Sequence, residues 1–385
     1  MNLLLIVGTA KDVFIYNLAK WLKKHMDINI DVVEFHNSNN STQSYDYKYY
    51  DNVTALNRNK IIHKNKIFNI LFSDHDCNRQ LHKILQNKHY DIIQIHYFFR
   101  FLVKFNDIEK YCDKSYVMFW GGELETYKIL NSNKLFKKRV KSFLKNVTGI
   151  TNSISFKEKF TQLYPTLKNK YIPQNLGSSP LEELYNMISI TSKEKSKEYW
   201  NIPINKKVLM IGYSGKKIHN HLDIIKKLKA FPDYIDKIHL LAPMTRGAES
   251  SYINEVEQML KDSGYTFTLL KDIFLSDKDV SHLRNATDIV FQYSDFDGYS
   301  RSLIECLCAK AILIYGEWLN YENKLSNDDF IAFKTANITE GCSFIKTILK
   351  DYQEYTEITE QNSDKGKKYI WSECIKGWVN LYNQK

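Results

Sequence analysis

The chain has 385 residues, of which 43% are hydrophobic and 14% aromatic, so it is long enough for two domains with separate cores. Its net charge of +10 is compatible with nucleic acid, a membrane surface or an anionic substrate, although a Lys-rich composition alone also produces it. The six cysteines lack zinc-site spacing, the apolar start lacks the basic region of a signal peptide, and no run reaches the ~18 apolar residues of a transmembrane helix. We therefore expect a cytoplasmic protein.

Strands and helices alternate along the first half of the sequence. Continuous apolar runs, typical of buried parallel strands, alternate with segments whose apolar residues recur at helical spacing. Residues 37–60 are polar and are predicted as a loop. The predicted strands are Leu3–Val7, Ile28–Phe35, Asp91–Tyr97, Ser115–Trp120, Ile150–Asn152 and Lys170–Ile172, and the predicted helices are Phe14–His25 and Leu81–Gln86.

A second alternating series follows a connecting segment. Residues 173–200 contain Pro173, Gly177 and Pro180, which predict an interdomain connection with one helix around Leu181–Met187. The strands predicted beyond it are Val208–Ile211, Ile238–Ala242, Phe267–Leu270, Ile289–Gln292 and Ala311–Tyr315. The helices predicted between and after them are Leu222–Ala230, Tyr252–Ser263, Val280–Asn285, Arg301–Ala309 and Tyr369–Tyr382.

Two successive strand–helix series predict an α/β protein with two doubly wound, Rossmann-like domains that face a central cleft. We expect a first domain over residues 1–178, a linker over 179–200 and a second domain over 201–365. A C-terminal helix at 366–385 is expected to pack back on the first domain. Because ligands of such folds bind beyond the carboxyl ends of the strands, polar residues that follow strands are the candidates for a site.

The segment Asp297–Glu305 is the most informative of these places. Asp297 lies in a Gly-containing loop, and Glu305 lies within the predicted helix that follows. Loop N–H groups and a helix N-terminus favour phosphate, and carboxylates accept hydrogen bonds from sugar and ribose hydroxyls. The pattern favours a sugar-nucleotide site, with a surface loop before an amphipathic helix as the alternative. The donor site is then expected to include the loop residues Gly298, Tyr299 and Ser300.

Glycines and basic residues follow two other strands of the second domain. Glycines after Val208–Ile211 let backbone N–H groups approach a diphosphate, and the lysines beside them add positive charge. The arginine after Ile238–Ala242 could reach a phosphate, or it could simply be exposed. The pattern is neither the G-x-G-x-x-G fingerprint nor a P-loop, which argues against a dehydrogenase or an NTPase. The predicted donor-binding residues here are Gly212, Ser214, Gly215, Lys216, Lys217 and Arg246.

The first domain offers candidates for activating an acceptor and for contacting a membrane. His96 lies near the end of one predicted strand and Glu123 follows the next, so both could face the cleft, where imidazole or carboxylate would serve as a base. A hydrogen-bonded core histidine is the alternative for His96. The segment Lys134–Lys145 carries six basic residues among apolar ones. It predicts a basic amphipathic helix, which suits an anionic lipid surface or an ordinary surface position in a Lys-rich protein.

Taken together, these motifs resemble those of the GT-B glycosyltransferases, in particular the large retaining bacterial family with an E-x7-E motif. Asp297 and Glu305 stand at the two acidic positions, and Gly298 follows the first acid as in that family. The resemblance implies that Asp297 contacts the donor sugar, that Glu305 contacts the ribose, and that a loop lysine offsets the diphosphate charge. The first acid is Asp, and Lys310-Ala-Ile replaces the usual Gly-x-Pro, so retention and inversion both stay open.

The chain also resembles the 4-acetamido-4,6-dideoxygalactosyltransferases of enterobacterial common antigen synthesis, which add Fuc4NAc from a dTDP-sugar to a polyprenyl-linked acceptor. The matching pieces are Trp120-Gly121, Gly212-Tyr-Ser-Gly215 with His221 downstream, Pro243-Met244, Tyr252-Ile253, Glu255-Val256, Gly298 and Trp378. This resemblance implies a polyprenyl-diphosphate-linked acceptor, transfer without a metal or other cofactor, and a peripheral location at the inner face of the cytoplasmic membrane.

We therefore predict a glycosyltransferase that transfers a hexosyl or deoxyaminohexosyl group from a nucleotide sugar to a lipid-linked glycan in bacterial surface polysaccharide synthesis. The second domain would bind the donor and the first the acceptor, with His96 or Glu123 as base if the reaction inverts. One alternative is a GT-B-type sugar-nucleotide epimerase. Another is a basic nucleic-acid-binding protein, against which the dispersed charge and the lack of a known nucleic-acid motif argue.

Overall fold

The computed structural model describes residues 1–35, 46–56, 66–98, 100–105, 107–120 and 134–384. The chain folds into two units: unit 1 consists of Met1–Gly177 and Trp371–Lys385, and unit 2 of Ser178–Ile370. Residues 179–200 were predicted as a linker with one helix around Leu181–Met187; that helix is present, a second helix follows it, and the whole segment belongs to unit 2. The reason is that Leu181, Leu184 and Met187 recur at helical spacing and are buried in the core of that unit.

The described part of unit 1 contains a parallel sheet of seven strands. In chain order they are β1 (Asn2–Val7), β2 (Asn29–Glu34), β3 (Asn52–Ala55), β4 (Tyr90–His96), β5 (Cys112–Met118), β6 (Gly149–Asn152) and β7 (Tyr171–Pro173). Their order across the sheet is β3-β2-β1-β4-β5-β6-β7. The edge strand β3 lies inside the segment predicted as a loop, because its short polar sequence carries no apolar run.

Helices pack on the apolar strands of this sheet. They are α1 (Val13–His25), α2 (Lys66–Leu85), α3 (Lys134–Asn146), α4 (Lys157–Leu163) and a C-terminal helix (Trp371–Asn383), with 3₁₀ turns at Arg100–Lys104, Ile108–Lys110, Ile154–Phe156 and Pro165–Lys170. Alternate residues of β1 point to opposite faces. Leu3 and Leu5 belong to the core formed with α1 and the C-terminal helix, and Leu4 and Ile6 belong to the core that includes residues of α2, α3 and α4.

The C-terminal helix is part of the core of unit 1. Its Trp371 and Trp378 side chains are both 0% exposed. Trp378 Nε1 donates a hydrogen bond to Asn175 O at 2.8 Å. A Cβ atom on Gly177 would lie 2.5 Å from the Trp371 ring, so this position has no room for a side chain.

The described part of unit 2 contains a parallel sheet of six strands. They are β8 (Lys207–Ile211), β9 (Ile238–Pro243), β10 (Thr266–Leu270), β11 (Ile289–Gln292), β12 (Ile312–Gly316) and β13 (Phe333–Thr335), in the order β10-β9-β8-β11-β12-β13. Its helices are α5 (Ser179–Ile188), α6 (Lys193–Tyr199), α7 (His221–Leu228), α8 (Ser250–Lys261), α9 (Asp277–Ala286), α10 (Arg301–Cys308), α11 (Glu322–Asp328), α12 (Ile338–Lys350), α13 (Tyr352–Glu360) and α14 (Asn362–Lys365). Its 3₁₀ turns are Lys217–His219, Pro232–Tyr234, Glu317–Leu319 and Lys367–Tyr369.

Both sheets therefore have the doubly wound topology, and the predicted α/β class with two Rossmann-like domains is confirmed. The direction of winding reverses between β1 and β4 in unit 1 and between β8 and β11 in unit 2. Loops that leave neighbouring strands in opposite directions open a crevice at such a point, and ligands bind there. Among the described residues, none of the helices is both long and apolar enough to span a bilayer.

Candidate functional site

The candidate site of unit 2 lies at the carboxyl ends of β8 and β11. The loops 212–220 and 293–300 follow these two strands. Asn220 Nδ2 donates to Tyr293 O at 2.9 Å and to Asp295 Oδ1 at 2.8 Å. In the other direction, Asp295 N donates to Ile218 O at 2.8 Å. These bonds join the loops into one surface, so motifs that are far apart in the sequence lie side by side.

Close packing requires both glycines of the first loop. Gly212 has a φ of +64°, in the left-handed region that residues with a Cβ rarely adopt. A Cβ atom on Gly215 would lie 2.3 Å from Ala248 Cβ. Gly215 N donates to Arg246 O at 2.8 Å, so this N–H is engaged within the protein. The predicted approach of Gly212 and Gly215 to a diphosphate stays a prediction, and the fold alone already needs glycine at both positions.

Three predicted phosphate-binding cations lie beside this surface. Lys216 and Lys217 are exposed in the first loop, and Arg246 is exposed in the loop after β9. Lys217 Nζ lies 3.4 Å from Glu249 Oε2, an ion pair that water screens because both side chains are exposed. The backbone hydrogen bond from Gly215 to Arg246 joins the two loops, so their three cations stand on neighbouring segments of the chain.

Asp297 is held by four hydrogen-bond donors. Tyr213 Oη donates to Oδ1, and Tyr321 Oη donates to Oδ2. The N–H groups of Tyr299 and Ser300 also donate to Oδ2, at 2.9 and 3.3 Å. A carboxylate oxygen accepts about two hydrogen bonds, so among the described residues Oδ2 is fully used and Oδ1 keeps one acceptor position. A sugar hydroxyl that contacts Asp297 would therefore meet Oδ1.

The two tyrosines that hold Asp297 stay protonated at neutral pH. Burial raises the pKa of Tyr213 and of Tyr321 well above the usual value of 10, and the negative charge of Asp297 raises both further. Each phenol is therefore a permanent hydrogen-bond donor to the carboxylate. The arrangement fixes the orientation of Asp297 before any ligand binds.

The other residues of the second loop differ in their surroundings. A Cβ atom on Gly298 would meet nothing within 4 Å, and Gly298 O accepts from Lys324 Nζ at 3.0 Å. Tyr299 has a φ of +66°. Within the described residues, Tyr299 Oη and Ser300 Oγ are buried without a hydrogen-bond partner. Ser300 stands at the N-cap of α10, so these predicted donor-binding residues surround the start of that helix.

Glu305 lies in the core of unit 2 and not in the loop surface. Its Oε2 lies 3.2 Å from Arg284 Nε, and both side chains are 7% exposed. Ser178 Oγ donates to its Oε1 at 2.7 Å. The carboxylate thus ties α10 to α9 and to the first residue of unit 2. The predicted ribose contact stays a prediction, and it would have to use acceptor positions that Arg284 and Ser178 leave free.

Sequence reasoning missed three residues that the structure adds to this site. Tyr213 and His219 lie in the first loop, and Tyr321 lies after β12. His219 Nε2 lies 2.9 Å from Ser214 Oγ, and burial lowers the pKa of His219 to about 4, which leaves the ring neutral. Tyr213 could have been predicted as a site residue, because it lies between Gly212 and Gly215 in a loop that was itself predicted to bind the donor. No local sequence pattern indicates Tyr321.

The candidate base of unit 1 is fully buried. His96, at the carboxyl end of β4, is 0% exposed, and neither ring nitrogen has a hydrogen-bond partner among the described residues. Burial lowers the pKa of His96 to about 3, so the imidazole is neutral at physiological pH. Its ring lies 6.1 Å from that of Trp120 and 6.2 Å from that of Trp378. Glu123, the other predicted base, lies outside the described residues.

Aromatic rings gather near the carboxyl ends of β4 and β5. Tyr97 stacks on Trp120 with ring centroids 4.6 Å apart and planes at 13°. Phe14 and Trp120 form a T-shaped pair with ring centroids 5.4 Å apart. Tyr97 has a φ of +69°, a conformation that residues other than glycine seldom adopt. Flat aromatic surfaces of this kind suit the apolar faces of sugar rings. For metal binding, the described residues contain no cluster of three or more His, Cys, Asp or Glu side chains.

Solved structures of other proteins share this fold, although neither a protein-family model nor a curated protein sequence matches the chain. The solved structures match it along its whole length. Sucrose-phosphate synthase from Thermosynechococcus elongatus is similar with a TM-score of 0.69 at 10% identity, covering 100% of this chain and 99% of that one. A glycosyltransferase from Rickettsia africae gives 0.67 at 12% identity, with 99% and 97% covered. HepE from Anabaena, in complex with UDP-glucose, gives 0.65 at 14% identity, with 100% of both chains covered.

These similarities show that the chain has the GT-B fold of nucleotide-sugar glycosyltransferases. The GT-B part of the predicted resemblance is confirmed.

Proposed function

We propose that this chain is a glycosyltransferase that moves a sugar from a nucleotide sugar to a glycan acceptor. The observation that carries the proposal is the joined loop surface at the carboxyl ends of β8 and β11. Glycines, exposed cations and a carboxylate with a spare acceptor position occur together there, at the point where doubly wound folds bind nucleotides. The UDP-glucose complex of HepE, which shares the fold, supports a nucleotide sugar as the ligand.

In this proposal unit 2 binds the donor. Lys216, Lys217 and Arg246 stabilise the diphosphate as it departs, and preorganised positive charge of this kind can replace a metal ion. Asp297 Oδ1 accepts a hydrogen bond from a sugar hydroxyl. The buried Glu305 has the ribose-binding role that the resemblance implies.

Unit 1 binds the acceptor in this proposal. If the reaction inverts, a base removes the proton of the acceptor hydroxyl, and His96 and Glu123 are the candidates. The lowered pKa of His96 makes its imidazole a weak base, which favours Glu123. The aromatic rings of Tyr97 and Trp120 would contact the glycan. The resemblance to Fuc4NAc transferases supports a deoxyaminohexosyl donor, a polyprenyl-diphosphate-linked acceptor and a place in surface polysaccharide synthesis.

A lipid-linked acceptor requires contact with a membrane, and α3 has the chemistry for it. Val140, Phe143 and Leu144 are buried, and Leu135 is 58% exposed on a helix that contains six basic residues and no acidic one. Such a helix suits an anionic lipid surface. We expect the protein to sediment with phosphatidylglycerol vesicles and not with phosphatidylcholine vesicles. Lys137→Glu/Lys138→Glu should abolish sedimentation, whereas Lys226→Glu/Lys227→Glu, on two exposed lysines of α7, should not.

The first experiment is thermal stabilisation by UDP, dTDP, GDP, CMP and their sugars, with and without EDTA. A strong rise in melting temperature with one nucleotide, unchanged by EDTA, would support a metal-independent transferase and name the base. Asp297→Asn should weaken the response to the sugar nucleotide more than the response to the free nucleotide. The absence of a response to any nucleotide would contradict the proposal.

Two rival functions predict other results. A GT-B-type epimerase would convert the sugar nucleotide with no acceptor present, whereas a transferase needs one. A nucleic-acid-binding protein would bind random DNA with an affinity that falls steeply as salt rises, and would not bind sugar nucleotides.

A further inference from the structure

We propose that His219 is a positioning residue that directs the hydroxyl proton of Ser214 toward a phosphate group of the donor. The inference rests on the proposed function, because it assigns the chemical group that one loop residue recognises. Ser214 was predicted to bind the donor, whereas the role of His219 follows from the structure alone.

The imidazole of His219 has one well-defined position. The residue is 1% exposed. Its ring and the Tyr213 ring form a T-shaped pair with a centroid distance of 4.4 Å and an angle of 69°, and the His221 ring lies 5.9 Å away at 66°. A Cβ atom on Gly212 would lie 2.9 Å from His219 Cβ, so the backbone of the loop lies directly against the side chain. Packing therefore fixes Nε2 at 2.9 Å from Ser214 Oγ.

The surroundings select the tautomer. His219 Nδ1 is buried and has no hydrogen-bond partner among the described residues. A buried N–H without an acceptor is rare in proteins, and a buried lone pair without a donor is tolerated more often. The proton of the neutral ring therefore belongs on Nε2, where Ser214 Oγ accepts it.

The orientation of the Ser214 hydroxyl follows from that tautomer. A serine oxygen has one proton to donate and two lone pairs. Because one lone pair accepts from His219 Nε2, the O–H bond of Ser214 points away from the imidazole. Ser214 is half-buried, next to Gly215 and the exposed Lys216. A hydroxyl whose proton is free to donate, beside a cation, suits a negatively charged ligand group that accepts hydrogen bonds, and a phosphate oxygen is such a group.

His219 acts in this role as a neutral group. Burial is the largest influence and lowers the pKa of His219 to about 4, Asp297 raises it and Lys216 lowers it. The other titratable neighbours are Tyr213, which stays protonated, and His221, whose pKa burial lowers to about 3. Because His219, His221 and Tyr213 keep their protonation states between pH 6 and 9, the hydrogen bond from His219 should be present throughout that range.

A second Ser–His pair of the same unit provides a matched control. His282 Nδ1 lies 3.1 Å from Ser196 Oγ, both residues are buried, and the pair joins α6 to α9 outside the loop surface. Removal of either side chain disrupts the same kind of hydrogen bond without touching the candidate site. Effects that come only from losing a buried Ser–His bond should therefore appear in both pairs.

The test measures the affinity of the full-length protein for the nucleoside diphosphate that stabilises the wild type best, and for the matching nucleoside. Ser214→Ala and His219→Phe should each weaken diphosphate binding roughly 10- to 100-fold, as expected for a hydrogen bond to a charged group. The double variant should bind no more weakly than Ser214→Ala, because His219 acts only through Ser214. Affinity for the nucleoside should stay the same in all three variants.

Further variants distinguish a positioning role of His219 from a purely structural one. His219→Gln can place an amide N–H near the position of Nε2 and should retain most of the affinity. Ser196→Ala and His282→Phe should leave diphosphate affinity unchanged. Wild-type affinity in Ser214→Ala, or a further loss in the double variant, would overturn this inference while leaving the proposed function in place. A wild-type protein that binds no nucleotide would overturn both. Ser214→Ala and His219→Gln keep the test valid if His219→Phe does not fold.

Discussion

Arg284 and Glu305 form an ion pair inside unit 2, with Arg284 Nε 3.2 Å from Glu305 Oε2 and both side chains 7% exposed. The pair connects α9 to α10, and Ser178 Oγ adds a hydrogen bond of 2.7 Å to the other carboxylate oxygen. Glu305 is also the second acid of the motif from which a sugar-nucleotide site was predicted. The carboxylate that was predicted to bind the donor therefore also belongs to the core of the unit.

Glu305→Ala should destabilise the protein strongly. The substitution leaves the guanidinium of Arg284 buried without its partner, and loss of one member of a buried pair costs about 3–5 kcal/mol. Glu305→Gln keeps the shape and an acceptor for Ser178, so it should cost less. Urea unfolding of the three proteins measures the difference.

The control for this prediction is an exposed ion pair of the same unit. Lys310 and Glu360 form an ion pair with side chains 41% and 61% exposed. Glu360→Ala should change the free energy of unfolding by no more than about 1 kcal/mol. Equal stability of Glu305→Ala and Glu360→Ala would contradict the structural role of Glu305. A loss of activity in Glu305→Ala should be interpreted only together with the measured stability of that variant.

Tyr213→Phe should reduce turnover of the sugar nucleotide without unfolding the protein. Tyr213 Oη is the one described donor to Asp297 Oδ1, the oxygen expected to meet the sugar. Loss of a hydrogen bond to a charged group costs about 1.5–3 kcal/mol, so kcat/KM should fall roughly 10- to 100-fold. Release of the nucleoside diphosphate in a coupled assay measures this rate.

A second tyrosine–aspartate pair provides the control for Tyr213. Tyr199 Oη donates to Asp279 Oδ1 at 2.5 Å on the exposed surface of unit 2, away from the loop surface. Tyr199→Phe should leave kcat/KM unchanged. If Tyr213→Phe also turned over at the wild-type rate, Asp297 would not need to be held by Tyr213 for function.

The sequence allowed the central strands of both sheets to be predicted, because strands buried on both faces are continuous apolar runs. β1, β4, β8 and β11 were predicted at nearly the observed positions. The edge strands β3 and β13 were not predicted, since they are three or four residues long and contain polar side chains. Backbone pairing with a neighbouring strand defines them, and local sequence does not record that pairing.

Part of the candidate site was also accessible from the sequence. The loops after β8, β9 and β11 stood out because glycines, acids and bases directly follow apolar runs. The partners of the acids could not be predicted, because Tyr321 reaches Asp297 from a separate turn and Ser178 reaches Glu305 across 127 residues. Such contacts depend on the tertiary fold. Periodicity and short motifs contain only local information.

Trp378→Ala should destabilise unit 1, although the residue lies near the end of the chain. Its indole is 0% exposed in the core with β1, and Nε1 donates to Asn175 O at 2.8 Å. Removal of a buried Trp side chain costs about 3–5 kcal/mol because it leaves a cavity. Thermal unfolding of Trp378→Ala tests this, with Trp318→Ala, at a 40% exposed position, as the control expected to cost much less.

Acid should remove stability that Asp288 contributes at neutral pH. Burial alone would raise the pKa of Asp288, but Lys193 and Lys197, at 3.4 and 2.8 Å, outweigh burial and lower it to about 2. A carboxyl whose folded pKa lies below its unfolded value of about 3.9 stabilises the fold above that value and loses the effect as pH falls toward 2. At pH 7, Asp288→Asn should be less stable by at least about 2 kcal/mol, and the gap should narrow below pH 4. Urea unfolding from pH 7 to 2.5 measures it, with the exposed Asp364→Asn as control. A gap that stayed constant across that range would mean that ionisation of Asp288 does not stabilise the fold.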